Sequence, residues 1–131
     1  MDAARLALAK AELEVGIDPE LAKLGARLDM ADGDFIGAVD RLQAHPLDGE
    51  GQRLLAAASL RSGAADVAVA LYQGLLGDAP EDEALWVGLA LALEGAGGSQ
   101  AALRVAYEHL AEAGSDINVR RFAWERLVAM G

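Results

Sequence analysis

The stretch GAADVA, residues 63–68, occurs in related form twice more, as GDFIGA at 33–38 and as GGSQAA at 97–102. In each copy a glycine is followed five residues later by an alanine, and the glycines lie 30 and then 34 residues apart. Each glycine ends an apolar helical pattern, and each alanine lies inside the next one. A period of this length, with one helix–turn–helix per unit, is typical of an α-solenoid. The sequence therefore predicts a fold that displays binding surface and rarely carries catalysis.

The apolar pattern around these turns predicts eight helices and no strand. The predicted helices span residues 3–14, 19–31, 35–44, 50–62, 65–76, 83–94, 100–113 and 117–130. Gly16 ends the first helix, Asp18 is a favourable N-cap for the second, and Ser99 caps the seventh. Either Ser115 or Asp116 caps the eighth. Because the connections are short, we expect neighbouring helices to be antiparallel.

Length and composition narrow the class of protein further. The 131 residues suit one domain, and alanine and leucine dominate the 53% of residues that are apolar. A net charge of −10 repels phosphate backbones, so we expect no nucleic-acid partner. The scattered acids are typical of a solvated exterior, with an acidic recognition face as the alternative. The absence of cysteine excludes disulfide and thiolate chemistry. The sequence contains no run of 18 apolar residues, so no membrane-spanning segment is predicted.

The residue pattern does not favour catalysis. The two histidines, His45 and His109, are too few and too far apart in sequence for a typical zinc site. The serines lack the surroundings of an activated nucleophile. The glycine-rich run at 95–98 follows no predicted strand, so it is interpreted as a turn rather than as a phosphate-binding loop. We therefore expect a protein that is not an enzyme and that has no cofactor or metal site.

Three segments of the chain share residue types at corresponding positions. The shared residues are Ala26, Gly33, Ala38, Leu42 and an early Pro46; then Leu55, Ala56, Gly63, Ala68, Tyr72 and Pro80; then Trp86, Leu89, Ala90, Leu93, Gly97, Ala102 and Tyr107. This pattern resembles the tetratricopeptide repeat (TPR) family. The resemblance implies an all-α, right-handed α-solenoid of about three TPR-like helix pairs with N- and C-terminal capping helices.

The resemblance also implies an organisation within a single domain spanning 1–131. An N-terminal helix occupies 1–17 and a degenerate first repeat occupies 18–48. The second repeat follows at 49–82 and the third at 83–114. A C-terminal capping helix at 115–131 completes the domain. In this family the small residues of paired helices let their backbones approach closely.

Two further stretches, LWVGLALALE at 85–94 and RFAWERL at 121–127, resemble the TPR subunit of pilus biogenesis of the mannose-sensitive-haemagglutinin (MSHA), type IV class. That family is anchored in the inner membrane with its repeats in the periplasm. The same residue types also suit the repeat tails of thioredoxin-like chaperones. The N-terminal residues lack the layout of a signal peptide. The compartment stays open: we expect the cytoplasm for a full-length chain, and the periplasm for a segment excised from an anchored pilus-assembly protein.

In TPR proteins the first helix of each pair lines a concave groove, so the resemblance implies a peptide-binding site on those helices. The implied groove residues are Glu20, Lys23, Arg27, Met30, Glu50, Arg53, Ala57, Leu60, Arg61, Val87, Leu91 and Glu94. Four of the eleven basic residues fall in this set and would form a basic stripe. Such a stripe suits an acidic segment or a free C-terminal carboxylate. The alternative is that these cations balance neighbouring acids on solvated helix faces.

The aromatic side chains could either pack in the core or contact a ligand. Trp86 and Tyr107 occupy signature positions of the repeat, where a core role is expected. Trp124 and Phe122 lie nearly opposite each other on the last helix, because two residues subtend about 200°. We expect one of this pair to be buried against the third repeat. The other would lie at a contact surface or against a following helix.

The expected function is therefore a non-enzymatic scaffold that binds a peptide or helix of another protein, in bacterial pilus or secretion assembly. Two alternatives stay open. One is a self-association module that forms a homodimer or stacks through its terminal helices. The other is the regulatory repeat tail of a thioredoxin-like chaperone.

Overall fold

A computed structural model of the protein describes residues 2–15 and 18–131. Within these residues the chain forms eight α-helices and no strand, as predicted. The helices are α1 (Ala3–Val15), α2 (Pro19–Ala31), α3 (Phe35–Gln43), α4 (Gly49–Ser62), α5 (Ala65–Asp78), α6 (Glu83–Gly95), α7 (Gln100–Ala113) and α8 (Ile117–Met130). The prediction of an all-α fold is confirmed. The predicted helix end at Gly16 lies outside the described residues.

Aspartate side chains cap the N-termini of most of the helices. Each of the following accepts a hydrogen bond from a backbone N–H two or three residues later: Asp18, Asp34, Asp48, Asp82 and Asp116. Ser99 has the same role for α7, where its hydroxyl accepts from the N–H of Ala102 at 3.3 Å. The predicted caps at Asp18 and Ser99 are confirmed, and Asp116 rather than Ser115 caps α8. Part of the chain's acid content thus serves local helix starts.

The three repeated glycines share one backbone conformation. Gly33, Gly63 and Gly97 have φ of 81°, 94° and 65°, in the left-handed region that favours glycine. A Cβ atom at any of them would meet no atom within 4 Å. Turn conformation, rather than crowding, is therefore what selects glycine at these positions. Five residues on, Ala38 and Ala68 are fully buried, so each turn is followed by a close helix contact.

The helices pack in series, each against its neighbours along the chain. We call α2, α4 and α6 the A helices, and α3, α5 and α7 the B helices. The central A helix, α4, contacts α2 and α6 as well as α3 and α5. At the two ends, α1 packs on α2 and α8 packs on α7. This serial arrangement of hairpins is that of a helical solenoid.

Among the described residues, the core consists of two apolar clusters of unequal size. The smaller cluster contains the buried residues Ala26, Ala38, Leu42, Leu55 and Ala58. The larger one extends from α4 to α8 and includes two tyrosines, Tyr72 and Tyr107. Tyr72 crosses α6 at Gly88, where a Cβ atom would overlap the tyrosine ring. A glycine inside α6 is therefore required by the close approach of α5.

One helix end differs from its prediction by more than one residue. The helix α5 continues through Gly77 to Asp78, whereas the pattern predicted an end at residue 76. The backbone N–H of Ala79 still donates to the carbonyl of Leu75, at 3.1 Å. The following Pro80 disfavours a helical Ala79, so the proline rather than Gly77 sets this end. The single glycine is tolerated because it lies in the last turn.

Candidate functional site

The predicted groove residues lie on the three A helices, whose shared surface we call the A face. Their side chains differ in exposure. Those exposed are Glu20, Arg27, Glu50, Arg61 and Leu91; those half-buried are Met30, Arg53, Ala57, Leu60, Val87 and Glu94; and Lys23 is buried. The contacts of α4 with α2 and α6 bring the three helices together. Peptide binding by this face stays a prediction.

Lys23 joins α2 to α4. Its ammonium lies 2.9 Å from a carboxylate oxygen of Glu20, 3.0 Å from Asp48 and 3.8 Å from Glu50, and only 5% of the side chain is exposed. Hydrogen bonds to Glu20 and Asp48 raise the pKa of Lys23 above its ordinary value. The backbone N–H of Gly51, together with Lys23, lowers the pKa of Asp48. Lys23 is therefore held as a cation within its own cluster of acids.

The arginines of the A face also bridge successive A helices. Arg27 of α2 pairs with Glu50 of α4. Arg53 of α4 donates to Asp82, the N-cap of α6, at 2.7 Å. This hydrogen bond from Arg53 is the main cause that lowers the pKa of Asp82. Each step from one A helix to the next is thus spanned by an arginine–carboxylate pair.

The series of pairs continues to α8. Glu94, near the end of α6, lies 3.3 Å from a guanidinium nitrogen of Arg126 and accepts a hydrogen bond from the hydroxyl of Tyr107. Burial, and then the bond to Glu94, raise the pKa of Tyr107. The ring of Tyr107 meets that of Phe122 edge-on, with centroids 5.9 Å apart. Glu94 therefore joins α6, α7 and α8 through one carboxylate.

These pairs decide how the predicted basic stripe is arranged. Lys23, Arg27 and Arg53 all have acidic partners, which is the arrangement that the charge-balancing alternative describes. The fourth cation, Arg61, has its guanidinium carbon 4.7 Å from the centroid of the Phe35 ring, at the start of α3. Arg27 and Arg53 nevertheless keep 46% and 42% of their side chains exposed. A second acidic group from outside could still approach these two arginines.

The apolar groove positions contribute unequally to the surface. Met30 packs against the smaller core cluster, and Leu60 and Val87 pack against the larger one. Leu91 is the most exposed large apolar side chain among the predicted groove residues, at 39%. The A face is therefore mainly polar, with a local apolar site on α6.

Sequence reasoning missed a buried charge cluster at the N-terminal end. The carboxylate of Asp29 lies 2.9 Å from Arg5 of α1 and 3.1 Å from Arg41 of α3, and it is 7% exposed. Arg41 also reaches Glu12 of α1, at 3.2 Å. It passes over α2 at Gly25, where a Cβ atom would overlap the arginine side chain. This cluster, rather than apolar packing alone, joins the first three helices.

One signal in the sequence could have identified this cluster. Asp29 follows Ala22 and Ala26 at spacings of four and three residues, which place all three on one side of α2. Both alanines are fully buried. An acid on the apolar side of a helix calls for a cationic partner. The pattern does not say which cation supplies it, because the partners lie 24 and 12 residues away.

The aromatic residues divide between core and surface as follows. Tyr107 is buried, as expected, whereas Trp86 is half-buried and stacks on His109 with ring centroids 4.2 Å apart. On α8, Phe122 packs against the larger core cluster and Trp124 is 56% exposed. The predicted division of this pair is confirmed in part, since Phe122 is half-buried against the core and Trp124 lies at the surface. Trp124 borders a groove of about 340 Å³ between α7 and α8.

The described part of the chain lacks two other features that could indicate a function. No group of three or more potential ligand side chains is placed to hold a metal ion there. Among residues 2–15 and 18–131, no helix has the length and apolar character that crossing a membrane needs.

Fold and surface together define a helical repeat protein with a polar face built from alternate helices. A family model described as the bacterial transcriptional activator domain matches residues 26–116, from the middle of α2 to the N-cap of α8. This match covers more than half of the chain, and the chain belongs to that family. No curated protein and no solved structure matches the chain. The resemblance to the pilus-assembly subunit stays a prediction.

Proposed function

We propose that this chain is a non-enzymatic protein–protein interaction scaffold that binds a peptide or helix of another protein along the A face. The observation that supports this most directly is the series of ion pairs between the A helices. Arg27–Glu50 and Arg53–Asp82 align polar side chains from α2, α4 and α6 into one surface. A surface assembled from consecutive helices suits an extended or helical partner.

The chemistry of the A face favours an acidic partner with an apolar residue. A guanidinium carries five N–H donors, more than one carboxylate accepts. Arg27 and Arg53, each paired with one acid and each almost half exposed, can therefore bind a further carboxylate. The exposed Leu91 on α6 suits an apolar side chain of the same partner. Lys23 has a different role. It is buried and already paired with three acids, so it joins α2 to α4 and does not contact the partner.

The family match favours a setting in transcriptional regulation. We propose that the scaffold contributes a protein contact, not a DNA contact, to a bacterial transcriptional activator, since its net charge of −10 opposes binding to phosphates. The resemblance to the pilus subunit favours a second setting, pilus or secretion assembly. The likeness to chaperone repeat tails favours a third. The binding chemistry of the A face is the same in all three.

The experiment measures binding of a fluorescent acidic amphipathic peptide to the full chain by fluorescence polarisation. The same peptide with its acids replaced by lysines reports on charge selectivity. We expect Arg27→Glu and Arg53→Glu each to weaken binding of the acidic peptide about tenfold, since each replaces an attractive contact by a repulsive one. Lys10→Glu is the matched control, because it makes the same change of charge on an exposed residue of α1.

Equal affinity of the acidic peptide for the two arginine variants and the wild type would overturn the A-face proposal. Stronger binding of the lysine peptide would overturn the proposed partner chemistry. Urea unfolding of each variant separates lost binding from lost folding. Arg27→Gln, which introduces no new repulsion with Glu50, gives a second, milder measurement at the same site.

A further inference from the structure

The outer side of α8 carries a largely exposed apolar stripe, part of which borders the groove between α7 and α8. Ile117, Trp124 and Val128 are 59%, 56% and 77% exposed. Their spacings of seven and four residues place them on one side of the helix, over a length of about 16 Å. Ala123 and Leu127, on the adjoining side of the helix, pack into the core. The helix α8 thus has an apolar stripe beside the side that packs into the core, and this stripe is largely exposed in the described part of the chain.

Charge singles out this helix as well. The helix contains three arginines and one glutamate, and although Arg126 pairs with Glu94 of α6, it stays net positive in a chain whose total charge is −10. Two copies of an acidic chain repel each other over most of their surfaces. Their mutual repulsion is lowered where each presents α8. This observation favours a second copy of the chain as the partner of the stripe.

The arrangement of charges on α8 is self-complementary. With about 100° of rotation per residue, Arg121 and Glu125 lie on the same flank of the apolar stripe. In two antiparallel helices related by a two-fold axis, the same flanks meet. A centre between residues 122 and 123 then places Arg121 beside Glu125 of the other copy, and Ile117 opposite Val128 of the other copy. Both pairings occur twice, and Trp124 lies over Arg121 of the other copy.

We propose that the chain forms an antiparallel two-fold dimer through the C-terminal face, which consists of Ile117, Arg121, Trp124, Glu125 and Val128. The groove beside Trp124, between α7 and α8, gives the indole rings room to settle. One helix per copy buries less than a standard interface. We expect a weak dimer, with a dissociation constant on the order of 10–100 μM. This surface is separate from the A face, so a dimer presents two A faces.

The first experiment is sedimentation equilibrium of the full chain across this range of concentrations. We expect a concentration-dependent monomer–dimer equilibrium, and Val128→Glu should weaken it about tenfold or more. Trp86→Phe leaves Trp124 as the single tryptophan of the chain. Its emission should shift to shorter wavelength as the dimer forms, because the indole leaves water. A chain that stays monomeric at all concentrations overturns the proposal.

The second experiment tests the register by exchanging charges. Arg121→Glu places two acids opposite each other at both pair sites of a homodimer, and Glu125→Arg places two cations there. Each variant alone should dimerise about tenfold more weakly than the wild type. Mixed in equal amounts, the two variants should form a heterodimer, since both pair sites then join an acid to a cation. Lys10→Glu and Glu14→Arg on α1 are the matched controls.

The heterodimer is the decisive result, because a change of folding or of charge within one helix cannot produce it. Mixed variants that stay as weakly associated as each alone would overturn the register and the two-fold arrangement. Unchanged dimerisation of both single variants would place the interface elsewhere and equally overturn the proposal. Arg27→Glu and Arg53→Glu should leave dimerisation unchanged. Failure of this proposal is therefore distinguishable from failure of peptide binding by the A face.

Discussion

The N-terminal and C-terminal regions of the chain are each stabilised by a different kind of interaction. In the N-terminal region, formed by α1–α3, the buried polar residues Lys23 and Asp29 bind acids and arginines of neighbouring helices. In the C-terminal region, formed by α5–α8, the larger apolar cluster dominates. Tyr107 is its largest fully buried side chain. Repeats of similar sequence pattern thus depend more on charge at one end and more on apolar packing at the other.

A pair of equivalent positions shows where this difference comes from. Leu42 and Tyr72 each lie nine residues after the turn glycine of their repeat. Both are buried, but the tyrosine is much larger and crosses the next helix at Gly88. The first repeat therefore has less apolar surface to bury, and ion pairs make up part of the difference. Salt screens partly exposed charges but does not weaken apolar burial, so the two regions should respond differently to ionic strength.

The largest expected effect is that of Tyr107→Ala in the C-terminal region. Removal of a fully buried aromatic ring should lower the free energy of unfolding by about 4 kcal/mol, as measured by urea denaturation. Tyr107→Phe is the matched variant, because it keeps the ring and loses only the hydrogen bond to Glu94; it should cost about 1 kcal/mol. Similar losses for the two variants would show that the hydrogen bond, not packing, dominates this region.

The next effect is that of Asp29→Ala in the N-terminal region. It removes the shared partner of Arg5 and Arg41, and we expect a loss of about 2 kcal/mol. This loss should shrink modestly as salt is added, because Asp29 is buried but the two arginine side chains are 23% and 27% exposed. Asp40→Ala, an exposed acid on α3, should change stability by less than about 0.5 kcal/mol. The comparison between regions fails if the loss at Asp29 is as independent of salt as the loss at Tyr107.

The turns should contribute equally to both regions. Gly33→Ala in the N-terminal region and Gly97→Ala in the C-terminal region each force a Cβ into the left-handed conformation, at a cost of about 1 kcal/mol. Neither substitution meets a neighbouring atom, so no other effect is expected. Gly74→Ala is a control with the opposite expected sign, because Gly74 is an exposed residue within helix α5. This substitution should raise the free energy of unfolding by about 0.5–1 kcal/mol. Unequal losses at Gly33 and Gly97 would mean that the two turns do not contribute alike.

The smallest expected effect is the loss of stability at acid pH that comes from Asp48 and Asp82, the two aspartates that pair with cations of the preceding A helix. Because the folded pKa values of Asp48 and Asp82 are lowered, their contributions are present above the unfolded value of about 3.9 and are lost as pH falls through the folded values. Asp48→Asn and Asp82→Asn should therefore destabilise at neutral pH and flatten the pH profile below about pH 4. Asp66→Asn on α5 is the exposed control. A wild-type slope in both variants would contradict the assignment.

The helices were predictable because their signals are local. A cap such as Asp18, a turn glycine such as Gly63 and the apolar periodicity act within a few residues, and seven of the eight helix ranges agree with the structure within one residue at each end. Only the end of α5 differs further: the pattern predicts a break from Gly77 onward, whereas the helix continues to Asp78, two residues before Pro80. Local interactions therefore determine where most of the helices begin and end.

The candidate site was predictable as a set of positions but not as a set of pairs. The repeat pattern placed Arg27, Arg53 and Lys23 on the A helices, where the structure has them. It could not choose between a free basic stripe and balanced charges, because the partners Glu50 and Asp82 lie 23 and 29 residues further along the chain. The cluster around Asp29 was missed for the same reason.

The sequence by itself determined that this chain is a series of helical hairpins with tight glycine turns, since capping, periodicity and left-handed glycine conformations are properties of short segments. Only the tertiary structure decided which acid faces which cation, that Asp29 joins three helices, and that Trp124 rather than Phe122 faces outward. Those outcomes depend on distances between residues far apart in the chain, and such distances exist only once the helices are stacked.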